Sequence, residues 1–274
     1  MRNGICFATE KDIPALCEIW KICFSDSEDY IKLFYSENFK YIDVLIYAVD
    51  GKPVSMLHLF KSAFADGEKE NNAIFLYAGG TLPEHRSNGY FIKLLNKAKH
   101  IAEQKGCALF FKPATISLCN FYETLGFQID SYFHLVTVSP ADIVPLSVED
   151  ISFQEYNRMR NSAFSDIPFA KWDDRHICWC VKENKFFSGR TLKFEFDGKE
   201  HFFMAYSQEN TLIINETDLN LTQLKKLSGA LCNLFGTVLI KAYMPDSCAE
   251  GEEIISSIVY NTPLHNAYVN QILI

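Results

Sequence analysis

The run Pro83-Glu84-His85-Arg86-Ser87-Asn88-Gly89-Tyr90 carries the densest chemistry in this chain. Before it stands an apolar, strand-like stretch, Ala73 to Ala78. After it, Phe91, Leu94, Leu95, Ala98, Ile101 and Ala102 recur every three or four residues, the period of an amphipathic helix. A strand that passes through a short polar turn straight into a helix aims several backbone N–H groups at one spot, and the helix dipole adds partial positive charge there. Such a spot suits a phosphate. Gly89 lets the backbone come close to an anion, and Arg86 supplies charge. Ser87 and Asn88 serve either as donors to that anion or as turn formers, their commoner use.

The run from Thr81 to Phe91 resembles motif A of the GCN5-related N-acetyltransferases (the GNAT superfamily), written roughly Val-x-Pro-x-x-[Arg/Gln]-x-x-Gly-x-[Gly/Ala]. Two positions depart from it. Thr81 replaces a valine where only backbone matters, and Phe91 replaces the final small residue, as in Eis-like branches of the superfamily. A bulky Phe91 implies a helix start set slightly differently against the pyrophosphate. A second segment, Phe121-Tyr122-Glu123-Thr124-Leu125-Gly126-Phe127, resembles the Phe-Tyr-x-x-x-Gly-Phe signature that closes the GNAT catalytic domain. The two occur in family order, separated by one helix and the apolar strand Cys107 to Phe111.

The resemblance implies acetyl-coenzyme A (acetyl-CoA) as donor. Its pantetheine arm would pair like an extra strand with Gly79, Gly80 and Thr81, and its pyrophosphate would sit on the N–H groups of Arg86, Ser87, Asn88, Gly89, Tyr90 and Phe91. Transfer is attack of a neutral amine on a thioester, and the departing thiolate benefits from a proton donor. The family's tyrosine near the sulfur falls on Tyr122, and a phenol can protonate a developing thiolate. Asn120 either binds the pantetheine or caps a turn. The general base is not readable, because Ile74 to Ala78 offers only Tyr77 as a polar side chain. The acidic loop Asp26-Ser27-Glu28-Asp29 either holds a cationic acceptor or, the preferred reading, starts a helix. In Eis-like relatives the terminal carboxylate reaches the active site; whether Ile274 does so here is open.

Stepping outward from these residues, the elements follow the family order. A strand at Ile5 to Ala8, helices at Glu10 to Cys23 and Asp29 to Asn38, and a hairpin at Asp43 to Val49 and Pro53 to Phe64 precede the motif strand. A last strand runs through Tyr132 to Val138, and Ser139-Pro140 closes the segment. The second half repeats the first at low similarity. Residues 148–166 lie 140 positions after residues 8–26, and both end in Phe-Ser-Asp. Residues 221–236 lie 130 after residues 91–106, and an apolar strand follows each. The expected fold class is α/β (α+β): tandem GNAT folds, each a mixed, mostly antiparallel twisted sheet flanked by helices. The expected domains are 1–139, catalytic, and 140–274, a degenerate copy. In that copy Glu216-Thr217-Asp218-Leu219-Asn220 replaces Arg86-Ser87-Asn88-Gly89-Tyr90, so it is expected to bind no coenzyme A.

The chain has 274 residues, 48% of them apolar, enough for a full core. A net charge of −8 argues against a nucleic-acid partner. No apolar run reaches membrane-spanning length, and the start lacks a signal peptide's apolar core, so a cytoplasmic protein is expected. Nine cysteines in no metal spacing read as reduced, mostly buried thiols, and no metal is expected. The leading function is an N-acetyltransferase acting on a small-molecule or peptide amine. The alternatives are a non-catalytic acyl-CoA-binding sensor or scaffold, and a relative that transfers another acyl group.

Overall fold

The structure, a computed structural model, describes residues 2–245, 251–262 and 264–270. By compactness the chain divides into two units. The first comprises Met1–Ala63, Asn71–Phe111 and Val259–Pro263; the second comprises Phe64–Glu70, Lys112–Ile258 and Leu264–Ile274.

The first unit contains, in chain order, β1 (Gly4–Phe7), α1 (Ile13–Phe24), α2 (Glu28–Asn38), β2 (Asp43–Val49), β3 (Lys52–Asp66), β4 (Lys69–Thr81), α3 (Tyr90–Lys105) and β5 (Ala108–Phe111). The far ends of β3 and β4 fall in the second unit. The strands lie side by side in numerical order, with β1–β2 and β2–β3 antiparallel and β4–β5 parallel. α1 buries Leu16, Ile19 and Trp20, the face its apolar spacing marks, and ends at Ser25 in the left-handed conformation. Ser27 caps α2 by accepting the Tyr30 N–H at 3.2 Å. α3 buries Leu94, Leu95, Ala98 and Ala102, and Gly106 closes it with φ +62°.

The second unit holds α4 (Cys119–Thr124), β6 (Gln128–Val138), β7 (Val148–Asp150), α5 (Phe153–Ala163), β8 (Phe169–Lys171), α6 (Asp174–Phe186), β9 (Arg190–Phe196), β10 (Lys199–Gln208), β11 (Thr211–Thr217), α7 (Leu221–Phe235), β12 (Leu239–Pro245) and most of β13 (Glu252–Tyr260). Its strands run β6-β12-β11-β10-β9-β7. β11–β12 is parallel, and the other neighbours on that path are antiparallel. Leu192, Phe203, Ile214, Leu224, Leu227, Leu231 and Ile240 fill its core.

Both units are mixed α/β with mostly antiparallel sheets flanked by helices, and the same succession recurs in each. A three-strand antiparallel run leads to a strand (β4 or β11) that turns into a helix (α3 or α7) and returns as a parallel neighbour (β5 or β12). α5 starts at Phe153, 140 positions after α1 starts at Ile13. A parallel return needs a crossover, which each helix supplies.

Candidate active site

β4 and β5 pair only over Ala73↔Ala108, Ile74↔Leu109 and Phe75↔Phe110. β4 continues to Thr81, and its burial changes along the way. Ala73 to Leu76 are buried, whereas Tyr77, Ala78, Gly79, Gly80 and Thr81 are partly exposed. The β5-side ladder thus ends six residues before β4 does. A strand whose edge outlasts its neighbour offers N–H and C=O groups to an extended ligand. Ala78 sits at φ +43°, a left-handed kink for a residue with a side chain.

Gly79 answers the sequence puzzle of Phe91. A Cβ on Gly79 would stand 2.5 Å from the Phe91 ring, so the large residue at the start of α3 fits because Gly79 has no side chain. The two departures from ordinary size compensate each other.

A 3-10 turn, Pro83–His85, follows β4. Ser87 (φ +63°) and Gly89 (φ +69°) are left-handed and Asn88 between them is not, so the handedness alternates. Alternation of this kind converges successive N–H groups into an anion-binding concavity. α3 begins at Gly89 with no side-chain cap, which leaves the N–H groups of its first turn to solvent or ligand. The Asn88 amide donates to the carbonyls of His85 at 3.1 Å and Arg86 at 3.0 Å, so its side chain is a turn former. Arg86 folds back, donating from Nε to the Thr81 carbonyl at 3.1 Å. Tyr90 stacks on Tyr47 at 4.1 Å, with Lys93 Nζ above both rings.

The corresponding turn in the second unit is built differently. Asn220 caps α7, accepting the Gln223 N–H at 2.9 Å while Gln223 accepts the Asn220 N–H at 3.0 Å. Leu219 is buried. Glu216 does not face a phosphate position. It is fully buried, paired with Arg160 Nε at 3.0 Å and accepting the Tyr156 hydroxyl at 2.5 Å. Asp218 accepts the Phe202 N–H and lies 2.9 Å from His201 Nδ1. Here the protein's own side chains, Thr217 on the Leu219 N–H and Asn220 on the Gln223 N–H, occupy donors that an anion would use.

Around the kink in β4 the first unit packs an aromatic cluster that motif reading missed. Trp20 contacts the rings of Phe34 (4.5 Å), His58 (5.4 Å), Tyr35 and Tyr77 (both 5.7 Å). The Trp20 indole N–H donates to Asp26 at 2.7 Å, and Glu28 pairs with Lys21, so the acidic loop serves the helix start. His58 is wholly buried on β3. Its Nδ1 is 3.3 Å from the Ala78 carbonyl and its Nε2 is 3.0 Å from the Tyr35 hydroxyl. A carbonyl only accepts, so Nδ1 carries the proton and Nε2 accepts from Tyr35. Burial pulls the His58 pKa down to about 4, partly offset by hydrogen bonds to the Ala78 and Tyr77 backbone. The one signal in the sequence is a histidine interrupting the apolar run Met56-Leu57-His58-Leu59-Phe60.

Asn120 and Tyr122 lie on α4, in the second unit. Asn120 is exposed; Tyr122 is buried between Phe121 at 5.2 Å and Phe127 at 6.1 Å. Burial, with a smaller contribution from Cys119, pushes the Tyr122 pKa up to about 12, so the phenol keeps its proton at neutral pH. Ile274 is outside the described residues. Among the described residues no helix is long and apolar enough to cross a membrane, and no group of three His, Cys, Asp or Glu side chains is placed to hold a metal.

The architecture is that of the GNAT fold. It is similar to a conserved protein of unknown function from Enterococcus faecalis V583, with a TM-score of 0.74 and 10% identity, over 94% of this chain and 72% of that one. A GCN5-related N-acetyltransferase from Kribbella flavida gives 0.69 and 14%, over 93% and 68%. Eis1 from Mycobacterium abscessus gives 0.59 and 12%, over 88% and 65%. At these identities the likeness is one of fold. No curated protein sequence matches the chain. The chain is an acyltransferase enzyme whose residues 5–129 match the family model of the acetyltransferase (GNAT) domain.

Proposed function

We propose that the protein transfers an acetyl group from acetyl-CoA to a primary amine of a small molecule or peptide. The observation that carries this reading is the open edge of β4 beyond Phe75, which leads directly into the uncapped, alternating-handed start of α3. In this reading Gly79, Gly80 and Thr81 pair with the pantetheine amides. The N–H groups from Arg86 to Phe91 receive the pyrophosphate, with Asn88 shaping the turn. Asn120 keeps its assignment to the pantetheine from the motif resemblance alone. The amine nitrogen attacks the thioester carbonyl carbon, the C–S bond breaks, and the thiolate takes the Tyr122 hydroxyl proton. The ammonium proton of the product leaves to water, and Tyr122 is reprotonated from solvent.

Residues 140–274 form a degenerate second GNAT copy in this reading, of the Eis-like kind, that binds no coenzyme A. The repeated succession of elements supports it, as does the Asn220–Gln223 capping box at the start of α7. The reading is tested by following thiol release from acetyl-CoA over a panel of amines and amino-terminal peptides. Release that depends on the amine supports it. Donor binding without release on any amine points to an acyl-CoA sensor instead.

A further inference from the structure

We propose that His58 is a positioning residue for the donor: it fixes the kink of β4 at Ala78 and thereby sets the path of the open edge at Gly79 to Thr81. The inference rests on the donor site proposed above. Ala78 adopts φ +43° without being glycine, a conformation that surrounding structure must hold in place. The groups that hold it come from β3. His58 Nδ1 donates to the Ala78 carbonyl at 3.3 Å. Two residues on, Ser55 Oγ donates to the Gly80 carbonyl at 3.0 Å and sits 2.8 Å from Thr81 Oγ1. β4 is thus tied by side chains along the stretch where its ladder with β5 has ended.

The imidazole can perform this task because its own state is determined. It is fully buried, the Tyr35 hydroxyl occupies Nε2, and the edge of Trp20 packs against it. Both ring nitrogens therefore have defined roles, and the ring presents its one N–H to the β4 backbone at the kink. Without that N–H the Ala78 carbonyl would lose this partner, and the kink would lose a tether. His58 touches no reacting atom in this account. Its effect passes to the donor through the strand.

The test uses the full chain and titrates coenzyme A into wild type, His58→Phe, His58→Asn and Tyr35→Phe, with melting curves for each. In His58→Phe the ring volume remains and the tether is gone, so affinity should weaken roughly three- to tenfold, the worth of one hydrogen bond. In His58→Asn the amide nitrogen stands near the place of Nδ1 and should restore most of that loss, even though the smaller side chain lowers the melting temperature further. This opposition between affinity and stability is what a merely structural role would not produce. Tyr35→Phe frees the far nitrogen and should give a smaller loss, and it carries the test if His58→Phe does not fold. Wild-type affinity in a folded His58→Phe overturns the positioning role alone. Equal losses in the Phe and Asn variants, tracking melting temperature, also overturn it. Failure of wild type to bind coenzyme A overturns both this inference and the donor site on which it rests.

Discussion

Placing glutamate at Gly89 separates backbone geometry from charge at the proposed pyrophosphate site. Gly89 has φ +69°, and a Cβ built on it meets no atom within 4 Å. A side chain there therefore costs conformational strain and no steric clash. Strain of this kind is about 1–2 kcal/mol for any residue other than glycine. Both Gly89→Ala and Gly89→Glu should thus stay folded and melt roughly 2–8 °C lower, at about 2–4 °C per kcal/mol for a chain of this class. Binding should distinguish them. A carboxylate about 4 Å from each of two phosphate charges in a water-exposed turn adds about 1 kcal/mol of repulsion per charge. About 2 kcal/mol corresponds to roughly a thirtyfold loss of affinity relative to Gly89→Ala. Calorimetric titration with coenzyme A measures it, and 1 M salt, where the screening length is about 3 Å, should erase most of the difference. If the glutamate variant binds within threefold of the alanine variant at low salt, the pyrophosphate does not sit on this turn.

Three further outcomes are expected. Tyr122→Phe should keep coenzyme A affinity and lower kcat by about 10²–10⁴-fold at saturating acceptor, since the hydroxyl acts only as charge builds on sulfur; an unchanged kcat with chemistry rate-limiting removes Tyr122 from the mechanism. Glu216→Gln leaves the Arg160 charge buried without its partner, so urea unfolding should show a loss of roughly 3–5 kcal/mol while donor affinity holds; a loss of donor affinity in the folded variant would contradict a purely internal role. The pKa of His58 is near 4 in the folded chain against an ordinary 6.5, so between those values the unfolded chain binds the extra proton and stability falls as pH drops. The loss should total about 3 kcal/mol, and His58→Phe should flatten the melting-temperature profile over that window; a parallel decline in both proteins would show that other groups set it.

Much of the fold was legible because period and punctuation agree. The apolar spacing in Ile13 to Trp20 and in Leu94 to Ala102 matches the faces that α1 and α3 bury, and Gly106 ends α3 as a glycine after a helix should. The repeat offsets of 140 and 130 fall on the helices α5 and α7. The turn from Arg86 to Gly89 was legible as a turn leading into a helix because its residue types and the helix start coincide. Other features depend on contacts between residues distant in sequence. Glu216 looked like a charge in a turn, and only its partners Tyr156 and Arg160, about 60 residues earlier, make it an internal pair. His58 looked like an anomaly in an apolar strand until β4 brought the Ala78 carbonyl to it. Phe91 looked like a departure from a motif, and Gly79 turns it into a fit.

The most direct test of the account is isothermal titration of the intact chain with acetyl-CoA. One site per chain, abolished or strongly weakened by Gly89→Glu and untouched by Asn220→Ala, is the predicted result. It follows from an uncapped α3 and a self-capped α7. A stoichiometry near two, or binding that survives Gly89→Glu and disappears with Asn220→Ala, would contradict it.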